Sequence, residues 1–442
     1  MAWINKHIST FFFLVYFGYY SILGETLSAP PHYQVVNVSS LQPKPYCQSS
    51  SSGSTIGSQK LEIVSRYGPC FPNAKTPTSD QLLNLDQVRV RSINKRHKSK
   101  HVAGNLDHGY YVVKIGLGTP RQNYTLMVDT GSKSTWVRCN SCTKGCKSDD
   151  DSLYDPSKSS TYTNNTSCSG SFNVSYRDKS SVNGIWGCDT LTVDDLGAIT
   201  NFKFGCGQEN VDPENFGGLV GILGLGKGET SLLSQSVTAM QMFSYYIPLT
   251  SSLVGNLHFG NEARTKSHTC ATQFTPLVKG DNPVYYYLDL VGISVAGKKL
   301  NVSSTTFTSR GTIIDSGTVI TRLPDVVYSA LRAEFRQSML SYTLLEGKVV
   351  DGLMDTCYSL EGYNQVALPK ITFHFGKGTP TNDVTLSNQA TVWIPHDKKE
   401  VMCLAFAAKS DFSIIGNVQQ RGLNVIYDLE GERIGFGSNC AS

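Results

Sequence analysis

Two stretches of the sequence decide the fold: TLMVDTGS at residues 125–132 and TIIDSGT at residues 312–318. Each is an apolar run that ends in an aspartate, Asp129 or Asp315, and continues with Thr or Ser, Gly, and Ser or Thr. A single Asp-Thr-Gly is a common turn, since Asp and Gly both favour tight turns. Two copies behind equivalent apolar runs indicate an internal repeat.

A second element recurs at a similar distance in each half. GILG ends at Gly224, 95 residues after Asp129, and an Ile-Ile-Gly ends at Gly416, 101 residues after Asp315. The order of apolar strand, aspartate turn and later glycine element is therefore the same in both halves. Packing of the halves about a pseudo-two-fold axis would bring the two aspartates together in one cleft.

The composition indicates a β-rich globular body. The 442 residues are 40% hydrophobic and 17% charged, which excludes a disordered chain and allows two or three globular units. Short runs of Val, Ile, Tyr, Phe and Thr alternate with Gly, Asn and Asp, as in YYVVKIGLG at 110–118. We therefore predict an all-β class with a few short helices. One helix is expected at 324–341, where four apolar residues fall at helical spacing: Val326, Val327, Leu331 and Phe335.

The first 24 residues are typical of a secretory signal peptide. Lys6 and His7 precede an apolar and aromatic run at 8–23, and small residues follow; this order matches the charged, apolar and cleavage regions of such signals. The alternative is a signal anchor that stays in the membrane. No other stretch reaches the ~18 apolar residues of a membrane span. We expect a secreted protein of the extracellular space or apoplast, or of the vacuole, without stable membrane association.

Residues 25–101 are interpreted as a propeptide. Residues 1–101 carry 11 Lys and Arg against 4 Asp and Glu, whereas the remainder carries 28 against 31. The positive charge is concentrated in the run RVRSINKRHKSKH at 89–101. This run overlaps the end of a short amphipathic piece at 80–91. Such a basic run is typically solvated. A basic front on a mildly acidic body argues against a nucleic-acid partner. The maturation site is expected near 98–109.

Cysteine usage agrees with secretion. The 12 cysteines divide into two before residue 101 and ten after it, and even counts in an oxidising compartment favour disulfides. A zinc site at Cys139, Cys142 and Cys146 is the alternative, although no paired His lies nearby. Six glycosylation sequons fit the same route, at Asn37, Asn123, Asn164, Asn165, Asn173 and Asn301.

Two neighbouring carboxylates account for the chemistry that the repeat permits. Carboxylates ~3 Å apart cannot both ionise cheaply, so they share a proton and titrate as a coupled pair. At moderately low pH one is a base and the other an acid, and a water held between them can attack an amide carbonyl without a metal or cofactor. We predict four supporting residues, two glycines that donate backbone N–H groups and two hydroxyls that bond the outer oxygens: Gly131, Gly317, Ser132 and Thr318.

The chain resembles pepsin-like aspartic proteases, and specifically their plant nepenthesin-like branch. The resemblance spans about 102–442 through VDTGSKSTWV, GLVGILGLGKGETSLLSQ, IIDSGTVITRLP and IIGNVQQRGLNVIYD, and LEIVSRYGPC extends it into the propeptide. It implies a bilobal fold with an N-terminal lobe at 102–250 and a C-terminal lobe at 251–442. It also implies a monomeric endopeptidase for peptide or protein substrates, with no cofactor, metal or nucleic-acid partner.

The same resemblance assigns roles to further residues. Tyr176 matches the tyrosine of the flap over the cleft, and Trp136 matches the tryptophan that supports the flap; ordinary aromatic packing is the alternative. The elements that end in Gly224 and Gly416 are expected to brace the two aspartate loops. A disulfide of the second lobe is implied between two cysteines, Cys357 and Cys403.

The flap departs from the family pattern. Arg177 and Lys179 stand where Gly is common, and seven residues separate Cys168 from Tyr176, where relatives have a longer insert. Positive charge near the cleft would favour the ionised dyad and attract acidic substrate side chains. We therefore expect the activity optimum to lie at a more acidic pH than in close relatives, and we expect a preference for Asp or Glu near the scissile bond. The alternative is a pair of solvated surface charges.

Two further hypotheses concern activity. The cations of the propeptide would cover an acidic cleft at neutral pH and release it when carboxylates are protonated, which describes a self-activating zymogen. The alternative to an enzyme is a non-catalytic, inhibitor-like binder on the same scaffold, since a fold alone does not fix function. The presence of both aspartate motifs, Tyr176 and Trp136 favours the enzyme.

Overall fold

The structure is a computed structural model. It describes residues 30–48, 61–71, 77–94, 111–144, 153–175, 181–193, 196–211, 220–236, 241–308, 311–347, 353–376, 382–408 and 411–438. The predicted signal peptide, the expected maturation site and the three flap residues Tyr176, Arg177 and Lys179 lie outside the described residues.

The described residues are mainly strands, which confirms the all-β prediction. The strands up to residue 230 are β1 (Tyr33–Asn37), β2 (Leu61–Ser65), β3 (Tyr111–Leu117), β4 (Gln122–Asp129), β5 (Trp136–Arg138), β6 (Ser171–Ser175), β7 (Ser181–Val193), β8 (Gly197–Val211) and β9 (Gly221–Gly224). Alternation of aliphatic or aromatic residues with polar residues, which suits a pleated and half-buried surface, recurs in these segments.

Later strands form the second half and the sheet that joins the halves. They are β10 (Met242–Tyr246), β11 (Gly255–Phe259), β12 (Ala271–Val278), β13 (Tyr286–Leu288), β14 (Leu290–Val295), β15 (Lys298–Lys299), β16 (Thr312–Ile314), β17 (Thr321–Arg322), β18 (Leu344–Leu345), β19 (Cys357–Ser359), β20 (Gln365–Pro369), β21 (Ile371–Phe375), β22 (Asn382–Thr385), β23 (Val392–Trp393), β24 (Val401–Leu404), β25 (Phe406–Ala407), β26 (Ser413–Ile415), β27 (Asn424–Asp428) and β28 (Arg433–Ser438).

The described helices are short, with two exceptions. They are α1 (Val38–Leu41), α2 (Ser79–Asn94), α3 (Gly260–Thr269), α4 (Ser304–Thr308), α5 (Asp325–Ser338) and α6 (Asn388–Thr391). The expected helix at 324–341 is α5, which buries Val327, Leu331 and Phe335. The fourth apolar residue of the pattern, Val326, is 58% exposed, because it lies about 100° around the helix from Val327.

The repeat seen in the sequence is a repeat of strand pairing. In the first half β4 runs parallel to β9, with Asp129 opposite Gly224. In the second half β16 runs parallel to β26, with Ile314 opposite Ile415. Each half therefore delivers its aspartate at the end of a strand that lies beside the later glycine element. This duplicated pairing agrees with the predicted bilobal, pepsin-like fold.

An aromatic core lies where the halves meet. Strand β10 pairs with both β11 and β27, and Phe243 stacks on Tyr427 with ring centroids 4.2 Å apart. The hydroxyl of Tyr245 donates to the side-chain oxygen of Gln420 at 2.5 Å. The hydroxyl of Tyr286 donates to the Leu225 carbonyl at 2.7 Å, directly after β9. The core thus ties the second half to the loop region of the first.

The segment interpreted as a propeptide is built into the fold. Strand β2 pairs with β3 on one side, with Val64 opposite Val112, and with β11 on the other, with Ile63 opposite Gly255. Strand β1 pairs with β20, and a disulfide joins Cys47 to Cys70. This segment therefore contacts strands of both halves.

The described start of the basic run, residues 89–94 at the end of helix α2, is partly buried and not simply solvated; residues 95–101 lie outside the described residues. Arg89, Val90 and Ile93 belong to that run, and all three are buried. They share one face with Leu83 and Asp86, because residues three or four apart lie on the same side of a helix. This buried face packs against apolar residues of the second half instead of facing solvent.

The disulfides exclude the zinc alternative. Cys139 is bonded to Cys206, and Cys142 is also disulfide-bonded. Cys357 and Cys403 form the disulfide that the family resemblance implied. A further bond joins two cysteines of the first half, Cys168 and Cys188.

Candidate active site

Asp129 lies at the end of β4 with its carboxylate held by its own loop. The backbone N–H of Gly131 donates to Oδ1 at 2.8 Å, and the hydroxyl of Ser132 donates to Oδ2 at 2.5 Å. A Cβ at Gly131 would lie 2.9 Å from an oxygen of Asp315. Only glycine therefore allows the backbone this close to the opposite carboxylate.

Asp315 is held in the same way after β16. The backbone N–H of Gly317 donates to Oδ1 at 3.1 Å, and the hydroxyl of Thr318 donates to Oδ2 at 2.6 Å. In both halves the glycine contacts the inner oxygen and the hydroxyl contacts the outer oxygen. The structure thus brings together all six residues that the sequence assigned to the dyad and its support.

The two aspartate loops are joined by crossed hydrogen bonds. The N–H of Thr130 donates to Oγ of Ser316 at 3.0 Å, and the N–H of Ser316 donates to Oγ1 of Thr130 at 2.9 Å. The Ser316 hydroxyl continues to the Val128 carbonyl at 3.2 Å. Because each hydroxyl accepts from the opposite backbone, neither loop can move without disturbing the other.

Each aspartate loop is also braced by its later glycine element. The N–H of Gly224 donates to Oγ1 of Thr135, and the N–H of Gly416 donates to Oγ1 of Thr321, both at 3.1 Å. A Cβ at Gly224 would lie 2.5 Å from the Ser134 carbonyl oxygen. The close approach of backbones explains why glycine ends the element there.

The residue after each bracing threonine differs between the halves. Trp136 opens β5 opposite Ile222 and is buried among apolar side chains. Arg322 ends β17 opposite Ile414 and is completely buried. Trp136 is therefore placed in the body of the first half, close to the loop of Asp129, while its predicted flap partner Tyr176 lies outside the described residues.

Arg89 of α2 lies directly on the two carboxylates. Its Nη2 donates to Oδ1 of Asp129 at 2.7 Å and to Oδ1 of Asp315 at 2.8 Å. Its Nε donates to Oδ2 of Asp315 at 2.9 Å, and its Nη1 donates to Oδ2 of Asp129 at 3.2 Å. One guanidinium thus contacts all four carboxylate oxygens. The two inner oxygens, Oδ1 of Asp129 and Oδ1 of Asp315, both accept from Nη2 and therefore lie close to each other.

The electrostatics of the site follow from burial and from this contact. Burial alone would raise the pKa of Asp129, but the charge and hydrogen bonds of Arg89, with those of Ser132 and Gly131, hold that pKa below its ordinary value. Burial opposes the charge of Arg89, yet the two carboxylates raise its pKa well above the usual value. The guanidinium therefore stays charged and favours an ionised Asp129.

A second buried ion pair lies one helical turn away on α2. Oδ1 of Asp86 accepts from the Val319 N–H at 2.7 Å, and Oδ2 accepts from Nη2 of Arg322 at 2.7 Å. The Ile320 N–H donates to Oδ2 at 3.4 Å. Burial raises the pKa of Asp86 although Arg322 and the backbone donors act against it.

The sequence reasoning missed the individual roles of Arg89, Asp86 and Arg322. Two signals could have found them. Asp86 and Arg89 are three residues apart in the amphipathic piece, so a helix would present both on its apolar face. Arg322 follows Asp315 by the same seven residues that separate Trp136 from Asp129.

The geometry defines a class of protein before any comparison is made. Two duplicated loops hold two buried aspartates so close together that both contact the same atom, Nη2 of Arg89. Each carboxylate also accepts from a glycine N–H and a hydroxyl. This is the arrangement required for two carboxylates that share a proton and activate a water. The nucleophile in such a site is water rather than a side chain. The class is that of the aspartic-type peptidases.

Comparison with known proteins agrees with that class. Residues 110–439 match the family model for eukaryotic aspartyl protease. The chain is 36% identical to an aspartyl protease family protein of Arabidopsis thaliana, over 92% of this chain and 93% of the relative. It is 36% identical to Aspartyl protease AED1 of Arabidopsis thaliana, over 91% of each. It is 31% identical to Aspartic proteinase nepenthesin-2 of Nepenthes gracilis, over 79% of this chain and 82% of the relative.

The chain therefore belongs to the eukaryotic aspartyl protease family, in the plant branch that includes the nepenthesins. It is an aspartic-type endopeptidase, a hydrolase that acts on peptides or proteins. Within the described residues, none of the helices combines the length and apolar character needed to cross a membrane.

Proposed function

We propose that the chain is the zymogen of a secreted aspartic endopeptidase, with Asp129 and Asp315 as its catalytic dyad and Arg89 as the group that keeps the dyad latent. The observation that carries this proposal is the contact of one guanidinium with all four carboxylate oxygens. A substrate carbonyl and an attacking water need the space that Arg89 occupies. The enzyme is therefore inactive while α2 is bound.

The proposed reaction uses the dyad after α2 has left. One carboxylate, ionised, takes a proton from the water as the water oxygen attacks the scissile carbonyl. The other, protonated, gives its proton to the carbonyl oxygen. The tetrahedral intermediate then breaks at the C–N bond as the amine takes the proton that the first carboxylate removed from the water, and the second carboxylate regains a proton from a hydroxyl of the intermediate, so that a carboxylic acid and an amine leave. Ser132 and Thr318 hold the outer oxygens and keep the carboxyl groups in position during these transfers.

The contact between Arg89 and Asp129 has a pH dependence of definite sign, which supports acid activation. The pKa of Asp129 is lower with Arg89 bound than its ordinary value, so the bound state takes up fewer protons. The contribution of this ion pair to α2 binding therefore decreases as the pH falls, because the released dyad takes up the proton that its two carboxylates share. Acid weakens the inhibitory contact and supplies the proton that the dyad needs.

Secretion is supported by the disulfides and the exposed glycosylation sequons as well as by the predicted signal peptide. Four disulfides with both partners in the described residues join distant parts of the chain, as expected in an oxidising compartment. The side chains of all six sequon asparagines are exposed. They are therefore accessible to glycosylation, at Asn37, Asn123, Asn164, Asn165, Asn173 and Asn301.

A pH scan of the full-length chain tests the proposed function. Hydrolysis of a generic protein substrate should begin only on acidification and should be blocked by pepstatin. Asp129→Asn and Asp315→Asn should each reduce the rate by roughly 10³-fold or more, since each removes an acid or base from proton transfer. Asp325→Asn, at an exposed position of the second half, is the matched control. Activity that survives either dyad substitution would contradict the proposal, and no activity at any pH would favour a non-catalytic binder.

A further inference from the structure

Asp86 occupies a site that is built for a carboxylate. It is completely buried and bonded to Nη2 of Arg322 and to the N–H of Val319, both at 2.7 Å, with a longer contact of 3.4 Å to the N–H of Ile320. Two successive backbone N–H groups and a guanidinium form a concave set of donors. These three donors face the two acceptor oxygens of Asp86, an arrangement that suits an ionised carboxylate.

The donors of this site all belong to the peptidase body. Val319, Ile320 and Arg322 follow Thr318 directly, so the site is continuous with the loop that holds Asp315. Nη1 of Arg322 donates to the Ile320 carbonyl at 2.8 Å, which fixes the guanidinium before any ligand arrives. Only the acceptor, Asp86, comes from the segment interpreted as a propeptide.

Departure of α2 would leave this site without its acceptor. Arg322 is fully buried against Asp86, and its Nε has no hydrogen-bond partner among the described residues. A guanidinium and two N–H groups that lose a buried partner require another acceptor, because unpaired buried donors are costly. In the free cleft that acceptor is water or a group of the substrate.

The position of the site beside the dyad loop indicates which substrate residues reach it. Thr318 holds the carboxylate of Asp315, and the first donor of the site, the N–H of Val319, belongs to the next residue. An extended substrate advances by about 3.3 Å per residue, so a side chain close to the scissile bond is the one that reaches a site adjoining the dyad.

We propose that Arg322 and the backbone N–H groups of Val319 and Ile320 form an acid-binding subsite of the mature peptidase, which binds an Asp or Glu side chain of the substrate within two residues of the scissile bond. The proposal rests on the proposed function, because the site becomes available only when α2 leaves. It differs from the sequence-based hypothesis on Arg177 and Lys179, since it uses residues of the second half. Asp86 then acts as a substrate mimic.

The chemistry favours a carboxylate over its amide. Asn or Gln would turn an NH₂ group towards the guanidinium or a backbone N–H, where it finds no acceptor. A site built for hydrogen bonds rejects a ligand that leaves its polar groups unpaired. We expect a preference of about 10- to 100-fold in kcat/KM for Asp over Asn at one substrate position, as for loss of a charged hydrogen bond.

Paired peptides test this subsite. The full-length chain is activated in acid or, if it does not process itself, by limited trypsin digestion in the basic run at 95–100. Peptides that differ only by Asp or Asn at each position near the scissile bond are then compared. The Asp preference should occur at one position in the wild type and fall to about onefold in Arg322→Met, judged as the ratio of the two peptides within each protein. Arg332→Met is the control, because Arg332 pairs with Asp355 on the same half.

A binding measurement separates this proposal from the proposed function. Non-hydrolysable versions of the same peptides, with a reduced scissile bond, are titrated into the activated wild type and the Arg322→Met variant. Tighter binding of the Asp peptide to the wild type alone supports the subsite, even if no hydrolysis is seen. Equal affinity of the Asp and Asn peptides for the wild type, or an Asp preference that survives in Arg322→Met, overturns it.

Discussion

The loop after Asp129 and the loop after Asp315 carry the same hydrogen bonds around their carboxylates. Both use a glycine N–H, a hydroxyl three residues after the aspartate and a threonine that braces the later glycine element. They differ one residue after that threonine, where the first half has Trp136 and the second has Arg322. The duplicated loops thus hold the two carboxylates in the same way. The residue after each bracing threonine, Trp136 or Arg322, makes one side of the site apolar and the other positively charged.

The difference extends to the way the latent form is held. Around Trp136 the first half has an apolar cluster that includes Met127, Phe172 and Ile222. The second half binds α2 through Arg322 and through apolar contacts, in which Leu83 joins a cluster with Val319 and Ile320. Within the part of the chain that the structure describes, Arg89 is the α2 side chain seen to contact both aspartates. The inhibitory helix is therefore anchored on the second half through Arg322 and these apolar contacts, and Arg89 extends the contact to Asp129 of the first half.

Removal of that shared contact should have the largest effect. Arg89→Met should raise the rate of substrate cleavage at pH 5–6 by about 100-fold or more, since loss of one partner of a buried charge pair weakens binding by several kcal/mol. The two carboxylates then share a proton and become available. Arg91→Met, an exposed position on the same helix, should leave the protein latent. Equal activity of the two variants would show that Arg89 does not maintain latency.

The anchor on the second half should show strong coupling between Asp86 and Arg322. Amide hydrogen exchange over 79–94 at pH 7 gives the free energy of α2 binding in Asp86→Asn, Arg322→Met and the double variant. We expect a coupling of about 2–3 kcal/mol, since each single change leaves a buried charge without its partner. The half-exposed pair Arg332 and Asp355 is the control, with less than about 1 kcal/mol. Additive effects at the first pair would mean that the second half is not the anchor.

Sequence alone could predict the duplicated dyad because its signals are local. The aspartate, glycine and hydroxyl positions are contiguous, and Gly224 and Gly416 recur at matching distances. The all-β class followed from residue type in the same way. The pairing of Cys357 with Cys403 required the family resemblance, since spacing alone leaves connectivity open.

The sequence-based hypothesis placed cations of the propeptide over an acidic cleft but could not single out Arg89, because composition does not show which charges are buried. Arg89 opens a basic run of a kind that is usually solvated, and its burial depends on two carboxylates that lie 40 and 226 residues away. The two adjacent valines of α5 show the same limit: both fit an apolar pattern, but only packing shows that Val327 faces the core and Val326 does not.

The acid release of α2 should depend on Asp129 in a predictable direction. In an Asp315→Asn background, which we expect to be inactive, hydrogen-exchange protection of 79–94 should fall as the pH drops from 5 to 3, by at most about tenfold per pH unit for one proton. The pKa of Asp129 is lowered by Arg89, so its protonation weakens binding. Burial raises the pKa of Asp86, so that group acts in the opposite direction.

Addition of Asp129→Asn to the same background should remove this decrease, or reverse it through Asp86. Addition of Asp325→Asn, at an exposed position, should leave it intact. A decrease of equal size in the absence of Asp129 would assign acid sensing to another group. Correction for the intrinsic pH dependence of amide exchange makes the three proteins comparable.

The smallest predicted effect is a loss of stability when either bracing threonine, Thr135 or Thr321, is replaced. The two replacements show whether the braces contribute equally. Thr135→Val and Thr321→Val each leave the N–H of a buried glycine, Gly224 or Gly416, without its acceptor, while side-chain volume is nearly unchanged. Each should lower the free energy of unfolding by about 1–2 kcal/mol in denaturant titrations at neutral pH. Thr269→Val, at an exposed helix end, should change it by less than about 0.5 kcal/mol. A large loss from one brace and none from the other would show that the halves share geometry but not stability, and that one loop alone positions the dyad.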